Sequence, residues 1–477
     1  MSLTAELGRI VGAANVVTDP VALRTYESDG LTGYRAQPLA VALPASTAEV
    51  VAVVEVCAER GLPFVARGAG TGLSGGAVPV AEGIVIGLSR MRSILEVDVP
   101  NRRVRLQPGV TNLEVTQAVA RHGLYYAPDP SSQQVCTIGG NVAENSGGAH
   151  CLKYGFTANH VLEAELVLPD GSVVRLGDED VLDLLGTVVG SEGTLGVVTE
   201  VVVRVLPLPQ CVETLLAAFR STDDAGEAVS AIIAAGIVPA AIEMMDALTI
   251  EAAEQAVHAG LPLDAGAVLL VELDGPSVEV ELVVDRAEAL CRQAGATDVR
   301  RAADETERAA FWRGRKAAFA AMGRVSPHYY VQDGVVPRTR LPETLRRIAE
   351  LSERYGLRVG NVFHAGDGNL HPLVLYDASV EGQAHLAEQL ASDILAACLE
   401  VGGSLSGEHG IGLDKARHMP AMFGEADLDA MHRLRCGFDP EGRCNPGKVF
   451  PTPRLCGEVP GPYREHPLER EGVAERW

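Results

Sequence analysis

The stretch from Asn361 to His371 reads Asn-Val-Phe-His-Ala-Gly-Asp-Gly-Asn-Leu-His, and the rest of the sequence is organised around it. His364 and His371 stand seven positions apart and enclose a turn-forming Gly-Asp-Gly-Asn run. The apolar residues on both sides, 357–363 and 372–376, read as two strands of a hairpin-like turn. Such a turn can aim both imidazoles at one point, although ordinary turn chemistry also accounts for these residue types.

A second segment with related chemistry runs from Ser406 to Gly412 and reads Ser-Gly-Glu-His-Gly-Ile-Gly. It offers the carboxylate of Glu408 and the imidazole of His409, flanked by glycines that let the backbone approach closely. Two neutral imidazoles and a carboxylate form an open site for a divalent metal, with positions left for water or substrate. The residues predict the site and leave the identity of the metal open.

Length and charge limit the classes of protein that fit. At 477 residues the chain is longer than one hydrophobic core usually accommodates, so two or more domains are expected. The net charge of −23 argues against nucleic acid or an anionic membrane surface as a broad partner. An anionic substrate therefore needs locally placed positive charge.

The sequence lacks the features of secretion, membrane insertion and metal-cluster binding. The N-terminus has no signal-peptide pattern, and no stretch of about 20 apolar residues could span a bilayer. The nine cysteines form no Cys-x-x-Cys motif, which argues against a disulfide framework and against an iron–sulfur cluster held by this chain. We expect a cytoplasmic protein.

The first glycine-rich tract, Arg67 to Gly76, follows a predicted strand and precedes another at 84–88. Gly70, Gly72 and Gly75 formally match the dinucleotide fingerprint, but no helix follows them, so a Rossmann unit is disfavoured. What remains is a loop between two strands whose N–H groups could form a nest for a pyrophosphate.

Two further glycine-rich tracts follow, at 137–148 and 190–196. The first of them lacks any periodic pattern and reads as a long structureless loop inside a compact domain, which is typical of a functional loop. Between the two tracts, Asp170-Gly171 predicts a hairpin turn. Earlier in the chain, capping boxes at Ser46–Glu49 and Thr111–Glu114 predict two helices that end near Gly61 and Gly123.

A Leu-Pro-Leu-Pro run at 206–209 marks a domain boundary. Beyond it, strands near 212–219, 266–273 and 328–336 alternate with helices, which indicates an α+β domain with an antiparallel sheet and helices on one face. The boundary separates residues 1–208 from the part of the chain that carries the two histidines.

Taken together, these motifs resemble one family, the FAD-linked 2-hydroxy-acid dehydrogenases of the vanillyl-alcohol-oxidase (PCMH) type, and most of all its glycolate-oxidising branch. The resemblance covers nearly the whole chain. It is most specific in four segments: Tyr125 to Ser132, Gly140 to Asn145, Glu243 to Asp246, and Asn361 to His371. It implies an α+β fold with a PCMH-type FAD-binding domain over 1–208 and a cap domain of the FAD-linked oxidase C-terminal type over 209–405 that carries the two histidines. It also implies a C-terminal segment over 406–477 that returns to the flavin.

The resemblance also implies which residues bind FAD. These are Arg67, Gly68, Ala69, Gly70, Thr71, Gly72, Leu73, Ser74, Gly139, Gly140, Asn141, Asn145, Gly148, Glu192, Gly193, Val197 and Asn445. Relatives with covalent flavin carry a histidine in the first loop. This loop has none, so FAD is expected to be held non-covalently.

By the same resemblance, His364, His371 and Glu408 match the ligands of a divalent metal (Zn, Mn or Fe), and His409 matches the general base. Arg315 matches the arginine that grips the substrate carboxylate. The expected reaction is metal-assisted oxidation of a small 2-hydroxy acid, glycolate or D-lactate, with hydride transfer to FAD. The 2-hydroxyglutarate enzymes carry a lysine near the strand that here reads Tyr329-Tyr330-Val331, and its absence weakens that alternative.

Two other classes of function remain open at this point. A metal-dependent hydrolase explains the ligands but not the glycine tracts, whereas a non-catalytic FAD-binding subunit explains the tracts but leaves the ligands idle. The nearest relatives work beside a second flavin-type subunit and an iron–sulfur subunit, so we expect electrons to leave through such partners. The chain could then be peripheral to the membrane.

Overall fold

The computed structural model describes residues 1–177 and 182–451; the end of the predicted C-terminal segment, 452–477, lies outside the described residues. The chain divides into two compact units. The first comprises Met1–Gly147, Phe156–Pro207 and the chain from Glu408 onward. The second comprises Leu208–Gly407 together with the short segment Gly148–Gly155.

The secondary-structure elements are numbered in chain order. The strands are β1 (Val16–Val17), β2 (Ala40–Ala42), β3 (Phe64–Arg67), β4 (Ile84–Gly87), β5 (Ile94–Asp98), β6 (Arg103–Leu106), β7 (Leu124–Tyr125), β8 (Val161–Val167), β9 (Val173–Gly177), β10 (Val197–Arg204), β11 (Leu206–Pro207), β12 (Cys211–Phe219), β13 (Ala241–Asp246), β14 (Ala267–Gly275), β15 (Asp298–Arg301), β16 (His328–Val331), β17 (Gly334–Val335), β18 (Val359–His364), β19 (Asn369–Leu370) and β20 (Pro372–Tyr376). The helices are α1 (Leu3–Val11), α2 (Pro20–Leu23), α3 (Thr47–Arg60), α4 (Asn112–Val119), α5 (Ile138–Glu144), α6 (Cys151–Tyr154), α7 (Leu184–Val188), α8 (Thr222–Ala234), α9 (Ala247–Val257), α10 (Ser277–Gln293), α11 (Glu305–Ala321), α12 (Leu341–Tyr355), α13 (Gln383–Glu400), α14 (Met419–Met422) and α15 (Glu425–Phe438).

The first unit contains two main sheets. One has the order β1-β2-β4-β3, in which β2 and β3 run parallel to β4. The other is antiparallel with the order β5-β6-β10-β8-β9, and its β8–β9 pair is the hairpin predicted from the Asp170-Gly171 turn. Because β3 and β4 are adjacent and parallel, the connection between them must return to the opposite end of the sheet, and the first glycine-rich tract begins this connection.

Helix boundaries in the first unit follow the capping residues of the sequence. Ser46 accepts a hydrogen bond from the N–H group of Glu49 at the start of α3, and Gly61 ends that helix in the left-handed conformation. At the start of α4, Thr111 and Glu114 form the complete capping box. These local signals place both helices where the sequence predicts them.

The second unit is built on an antiparallel sheet with the order β15-β12-β14-β13-β18-β19-β17, to which β20 and β16 are added next to β18. Consecutive residues of β14, such as Leu269 and Leu270, are all buried, although successive side chains point to opposite faces. Both faces are therefore covered, and the prediction of helices on one face alone is wrong. The sequence pattern also missed β13, because a run of buried residues carries no alternation, and β15, because three of its four residues are charged.

The second glycine-rich tract is not structureless, which corrects the sequence prediction. Residues Ile138–Glu144 form α5, with Thr137 accepting from the N–H group of Gly140 at its start and Asn145 ending it at φ +52°. Gly139 lies so close to Pro108 that an added Cβ would approach the proline Cβ to 2.6 Å. Gly139, one of the glycines that hide the helical pattern, is therefore required by close packing.

None of the helices in the described ranges combines the length and the apolar character that crossing a bilayer requires.

Candidate functional site

In the first unit, the side chain of Arg67 contacts the loop from Arg67 to Gly76 that it begins. The Arg67 guanidinium is buried and donates to the carbonyl oxygen of Ala77 at 3.1 Å. Gly70 has φ +70°, and a Cβ there would overlap this guanidinium. The glycine and the arginine thus fix the course of the loop together.

The donors of this loop fit a bound anion. Within residues 1–177 and 182–451, no protein acceptor receives the N–H groups of Gly70, Thr71, Gly72 or Leu73. The Oγ atom of Ser74 is fully buried and also has no hydrogen-bond partner there. Because buried polar groups are normally paired, this set of donors fits a ligand such as the pyrophosphate of FAD.

The first two glycine-rich tracts meet in the structure. A Cβ on Gly68 would overlap Oγ1 of Thr137, the residue that caps α5. Farther along α5, Asn141 accepts from Nδ2 of Asn112 at 3.1 Å. The first tract and the start of the second, whose residues the resemblance assigns to FAD, are therefore in direct contact in the first unit.

The C-terminal segment also contacts the first tract and the third tract. Asn445 donates through Nδ2 to the carbonyl oxygens of Gly76 at 3.0 Å and Glu192 at 2.7 Å. The carboxylate of Glu192 accepts from the N–H groups of Ile411 and Gly412, each at 2.6 Å. Asn445 and Glu192 therefore join the first tract to the residues that follow His409.

Other predicted residues have mainly structural contacts. Val197 is fully buried in a hydrophobic core, and Oδ1 of Asn145 accepts from the N–H group of Ala158 at 2.8 Å. The carbonyl oxygen of Gly193 accepts from the thiol of Cys444. Gly148 belongs to the second unit, apart from the other residues assigned to FAD.

A group of buried charges adjoins the loops of the first unit, and Glu192 is the one member of this group to which the sequence reasoning assigned a role. Burial, and secondarily repulsion from Glu192, raises the pKa of Glu144 well above the usual value, and burial also raises the pKa of Glu192. Lys448 donates to Asn445 Oδ1 at 3.2 Å, and burial lowers its pKa to about 8. Glu144 lies next to Gly76 and Lys448 contacts Asn445, so these ionisable groups influence the electrostatics beside residues of the first tract and the C-terminal segment.

In the second unit, the predicted hairpin brings the two histidines together. His364 ends β18 and pairs with Asn369 of β19, and the imidazoles of His364 and His371 lie 5.1 Å apart between ring centroids at an interplanar angle of 88°. Both rings are buried, with 6% and 1% of their residue surfaces exposed. The hairpin thus holds two imidazoles at the spacing of a shared ligand.

The Nδ1 atom of each histidine faces an acceptor. Nδ1 of His364 lies 2.8 and 3.0 Å from the two oxygens of Glu243, and Nδ1 of His371 lies 3.4 Å from the carbonyl oxygen of Gln332. A carboxylate or carbonyl can only accept, so Nδ1 carries the proton and the lone pair resides on Nε2. This arrangement is the one found around metal-bound histidines, and the donor set therefore fits a divalent metal.

Arg315 lies on α11 and is 3% exposed. Its Nη2 atom is 2.5 Å from Oε2 of Glu243, whose side chain is 1% exposed. Glu243 therefore contacts both a predicted metal ligand and the predicted substrate-binding arginine. Arg313, two residues earlier, is exposed.

Asp333, which the sequence analysis did not single out, is fully buried beside His371, with Oδ1 3.9 Å from Nδ1 of that histidine. Its other oxygen accepts from Oγ of Ser406 at 2.5 Å and from the N–H group of Gly407 at 3.1 Å. Asp333 thus fixes the end of the second unit, immediately before Glu408 in the chain.

Glu408 and His409 open the last segment of the first unit. Oε1 of Glu408 lies 3.7 Å from Nε2 of His409, and both side chains are mostly buried. On the other side of the carboxylate, a Cβ on Gly147 would approach its Oε2 to 2.7 Å. A glycine at 147 is therefore needed to leave room for Glu408.

Sequence reasoning missed Glu243 and Asp333 as supports of the site, and it missed Glu272 as a buried ion-pair partner outside the site. Two of these three residues carry a readable signal. Glu243 and Glu272 are carboxylates within apolar runs, Ala-Ile-Glu-Met-Met and Leu-Val-Glu-Leu. A charge in a buried strand is rare unless it is paired, so both positions indicate an internal partner.

Comparison with known proteins identifies domains that bind FAD, in agreement with the anion-binding loop of the first unit. A family model described as the C-terminal domain of FAD linked oxidases matches residues 208–449, and an FAD binding domain model matches residues 38–177. The chain is 52% identical over 445 residues to the glycolate oxidase subunit GlcD of Escherichia coli K12, covering 92% of this chain and 89% of the relative.

A second relative, D-lactate dehydrogenase of Archaeoglobus fulgidus, is 34% identical over 94% of this chain and 99% of its own. Among solved structures, p-cresol methylhydroxylase with substrate bound matches with a TM-score of 0.79, covering 94% of this chain and 96% of that one. Its sequence identity is 15%, so this likeness shows the fold alone.

Proposed function

The chain belongs to the family of FAD-linked oxidases, and we propose that it oxidises a small 2-hydroxy acid, glycolate or D-lactate, to the 2-oxo acid. The observation that carries this proposal is the buried set formed by His364, His371, Glu243 and Arg315 in the second unit. It provides imidazoles for a metal beside a cation for a carboxylate, and a 2-hydroxy acid has the matching hydroxyl and carboxylate.

FAD would be held by the three glycine-rich tracts and by Asn445, without a covalent bond, because the first loop has no histidine. When bound, FAD supplies the two-electron acceptor, and the protein supplies binding and orientation. The unpaired N–H groups of Gly70 to Leu73 support placing the pyrophosphate there.

A divalent metal (Zn, Mn or Fe) would be held by His364, His371 and Glu408. A bound metal acts as a Lewis acid toward a hydroxyl group. Support comes from the Nδ1 contacts of both histidines, which place the proton on Nδ1 and the lone pair on Nε2. Glu408 is assigned as the third ligand from the resemblance alone.

Two side chains would act directly on the substrate. Arg315 would bind the carboxylate, and because its guanidinium is buried and already oriented by Glu243, it loses little side-chain freedom on binding. His409 would take the proton of the α-hydroxyl as general base. The strand Tyr329-Tyr330-Val331 offers no lysine for a second carboxylate, which favours a monocarboxylate over 2-hydroxyglutarate.

Electrons would leave through partner chains. The sequence contains no cluster-type cysteine spacing, and the relative with 52% identity is named as a subunit of glycolate oxidase. We propose a second flavin-type subunit and an iron–sulfur subunit as partners, with a cytoplasmic location that becomes peripheral to the membrane through them.

Assays of the purified chain with an artificial dye, oxygen and NAD in parallel test this function. We expect a yellow protein that oxidises glycolate or D-lactate rapidly with the dye and slowly with oxygen. A colourless protein would favour the metal-dependent hydrolase. A yellow protein that is inert toward every 2-hydroxy acid would favour the non-catalytic subunit.

A further inference from the structure

Glu243 occupies the middle of β13 and lies directly opposite His364 of the neighbouring β18 in the antiparallel register. Side chains of directly opposed residues project to the same face of a sheet. The position of Glu243 beside His364 is therefore built into strand pairing, and it does not depend on a flexible loop.

Both oxygens of the Glu243 carboxylate have partners. Both oxygens lie within hydrogen-bond distance of Nδ1 of His364, at 2.8 and 3.0 Å, while Oε2 also meets Nη2 of Arg315 at 2.5 Å. The side chains of all three residues are nearly excluded from solvent, with 1%, 8% and 4% exposed for Glu243, His364 and Arg315. A buried carboxylate with two such partners has one stable orientation.

Each contact restricts its partner chemically. A carboxylate only accepts hydrogen bonds, so it selects the tautomer of His364 that has its proton on Nδ1 and its lone pair on Nε2. The same carboxylate fixes the planar guanidinium of Arg315 in one rotamer. A single side chain thus sets the direction of a metal ligand and of a carboxylate-binding group.

We propose that Glu243 is a positioning residue that couples the metal site to the substrate-binding arginine; the inference rests on the proposed function. Glu243 neither ligates the metal nor contacts the substrate. It selects the ligating tautomer of His364 and fixes Arg315, so its loss affects the affinity for metal and for substrate together.

The variant Glu243→Gln separates this role from simple space filling. Glutamine has nearly the same shape, but its amide group can donate to Nδ1 of His364 and so admits the tautomer whose Nε2 carries a proton and cannot ligate. Loss of a carboxylate that supports a histidine ligand typically lowers metal affinity about 10- to 100-fold. We expect a loss of that size, together with a raised KM for the hydroxy acid.

The matched control is Glu272→Gln. Glu272 is also buried, lies on the neighbouring strand β14, and pairs with Arg308 of the same helix α11 that carries Arg315. It contacts neither His364 nor His371 in the described structure. This control should lower stability and leave metal affinity unchanged.

The measurement is titration of metal-stripped, FAD-loaded protein with Zn²⁺, followed by competition with a chelator, with flavin content and melting temperature recorded for each variant. His364→Ala is included as a reference for loss of the ligand. Wild-type Zn²⁺ affinity in His364→Ala would refute the metal assignment itself. Loss of affinity in His364→Ala with wild-type affinity in Glu243→Gln would overturn only the role of Glu243.

Should Glu243→Gln lose its flavin or unfold, Glu243→Asp decides the question. A carboxylate one methylene shorter cannot reach both partners, so either the Zn²⁺ affinity or the KM must change. Unchanged values for both would also overturn the proposal.

Discussion

The ring of Phe319 packs edge-on against the imidazole of His371, with the ring centroids 5.9 Å apart. Phe319 lies four residues after Arg315 on α11, so the two side chains share one face of the helix. The phenyl ring therefore contacts the candidate metal ligand from the helix face that also carries the candidate carboxylate-binding residue. From that position it would limit the room for the side chain of a substrate bound to both.

Phe319→Ala should consequently favour longer substrates. One methylene in an apolar pocket changes discrimination by roughly 10- to 200-fold, so kcat/KM for D-2-hydroxyhexanoate relative to glycolate should rise at least about tenfold. Lys316→Ala, at an exposed position of the same helix, serves as the control. An unchanged ratio in a Phe319→Ala protein with full flavin content would show that this ring does not limit substrate size.

Arg315→Lys should weaken substrate binding, because lysine cannot reproduce the planar two-point contact with a carboxylate. Loss of a hydrogen bond to a charged group is worth about 1.5–3 kcal/mol, which corresponds to roughly a 10- to 100-fold fall in kcat/KM. Arg313→Lys, at the exposed neighbouring position, should have little effect. Steady-state kinetics compare the two variants, and equal effects would mean that Arg315 does not bind the substrate.

His409→Asn should slow anaerobic flavin reduction by about two to four orders of magnitude, the usual range for loss of a general base. Metal content should stay near that of the wild type, because Glu408 and not His409 is the proposed ligand. Stopped-flow absorbance and elemental analysis on the same preparation test both statements. A reduction rate equal to that of the wild type would show that His409 is not the general base.

Glu272 gives the second unit an acid-sensitive contact. Burial alone would raise its pKa, but hydrogen bonds from His150 and Arg308 outweigh burial and lower the pKa to about 2. Because the folded pKa lies below the ordinary value of 4.5, the stabilisation is present above pH 4.5 and is lost as the pH falls toward 2.

Glu272→Gln should therefore destabilise the protein at neutral pH, where removal of one partner of a buried ion pair costs about 3–5 kcal/mol. The difference in unfolding free energy between wild type and variant should shrink as the pH is lowered from 5 to 3. Denaturant titrations across that range provide the comparison. A difference that is constant with pH would show that the charge of Glu272 does not stabilise the fold.

Much of the fold was readable because its signals are local. The capping residues Ser46 and Thr111 located two helices, and the Asp170-Gly171 turn located a hairpin. The residues of α5 were misread as a loop, because glycine at 139 and 140 hides a helical pattern that Thr137 and close packing nevertheless support.

The candidate site was readable to the extent that its residues stand close together in sequence. His364 and His371 belong to one hairpin, so their proximity followed from the turn. Glu243 is 121 positions from His364, and only the pairing of β13 with β18 brings them together. Long-range strand pairing leaves no local signal, so the supporting residue could be recognised only as a charge in an apolar strand.

The central claim, that this chain oxidises a 2-hydroxy acid at C2, is tested most directly by mixing the FAD-loaded protein with substrate in the absence of oxygen and any acceptor. We predict that glycolate or D-lactate bleaches the flavin absorbance in a single turnover, and that deuterium at C2 slows the bleaching. Flavin that stays oxidised with glycolate, both lactates and 2-hydroxyglutarate would contradict the account.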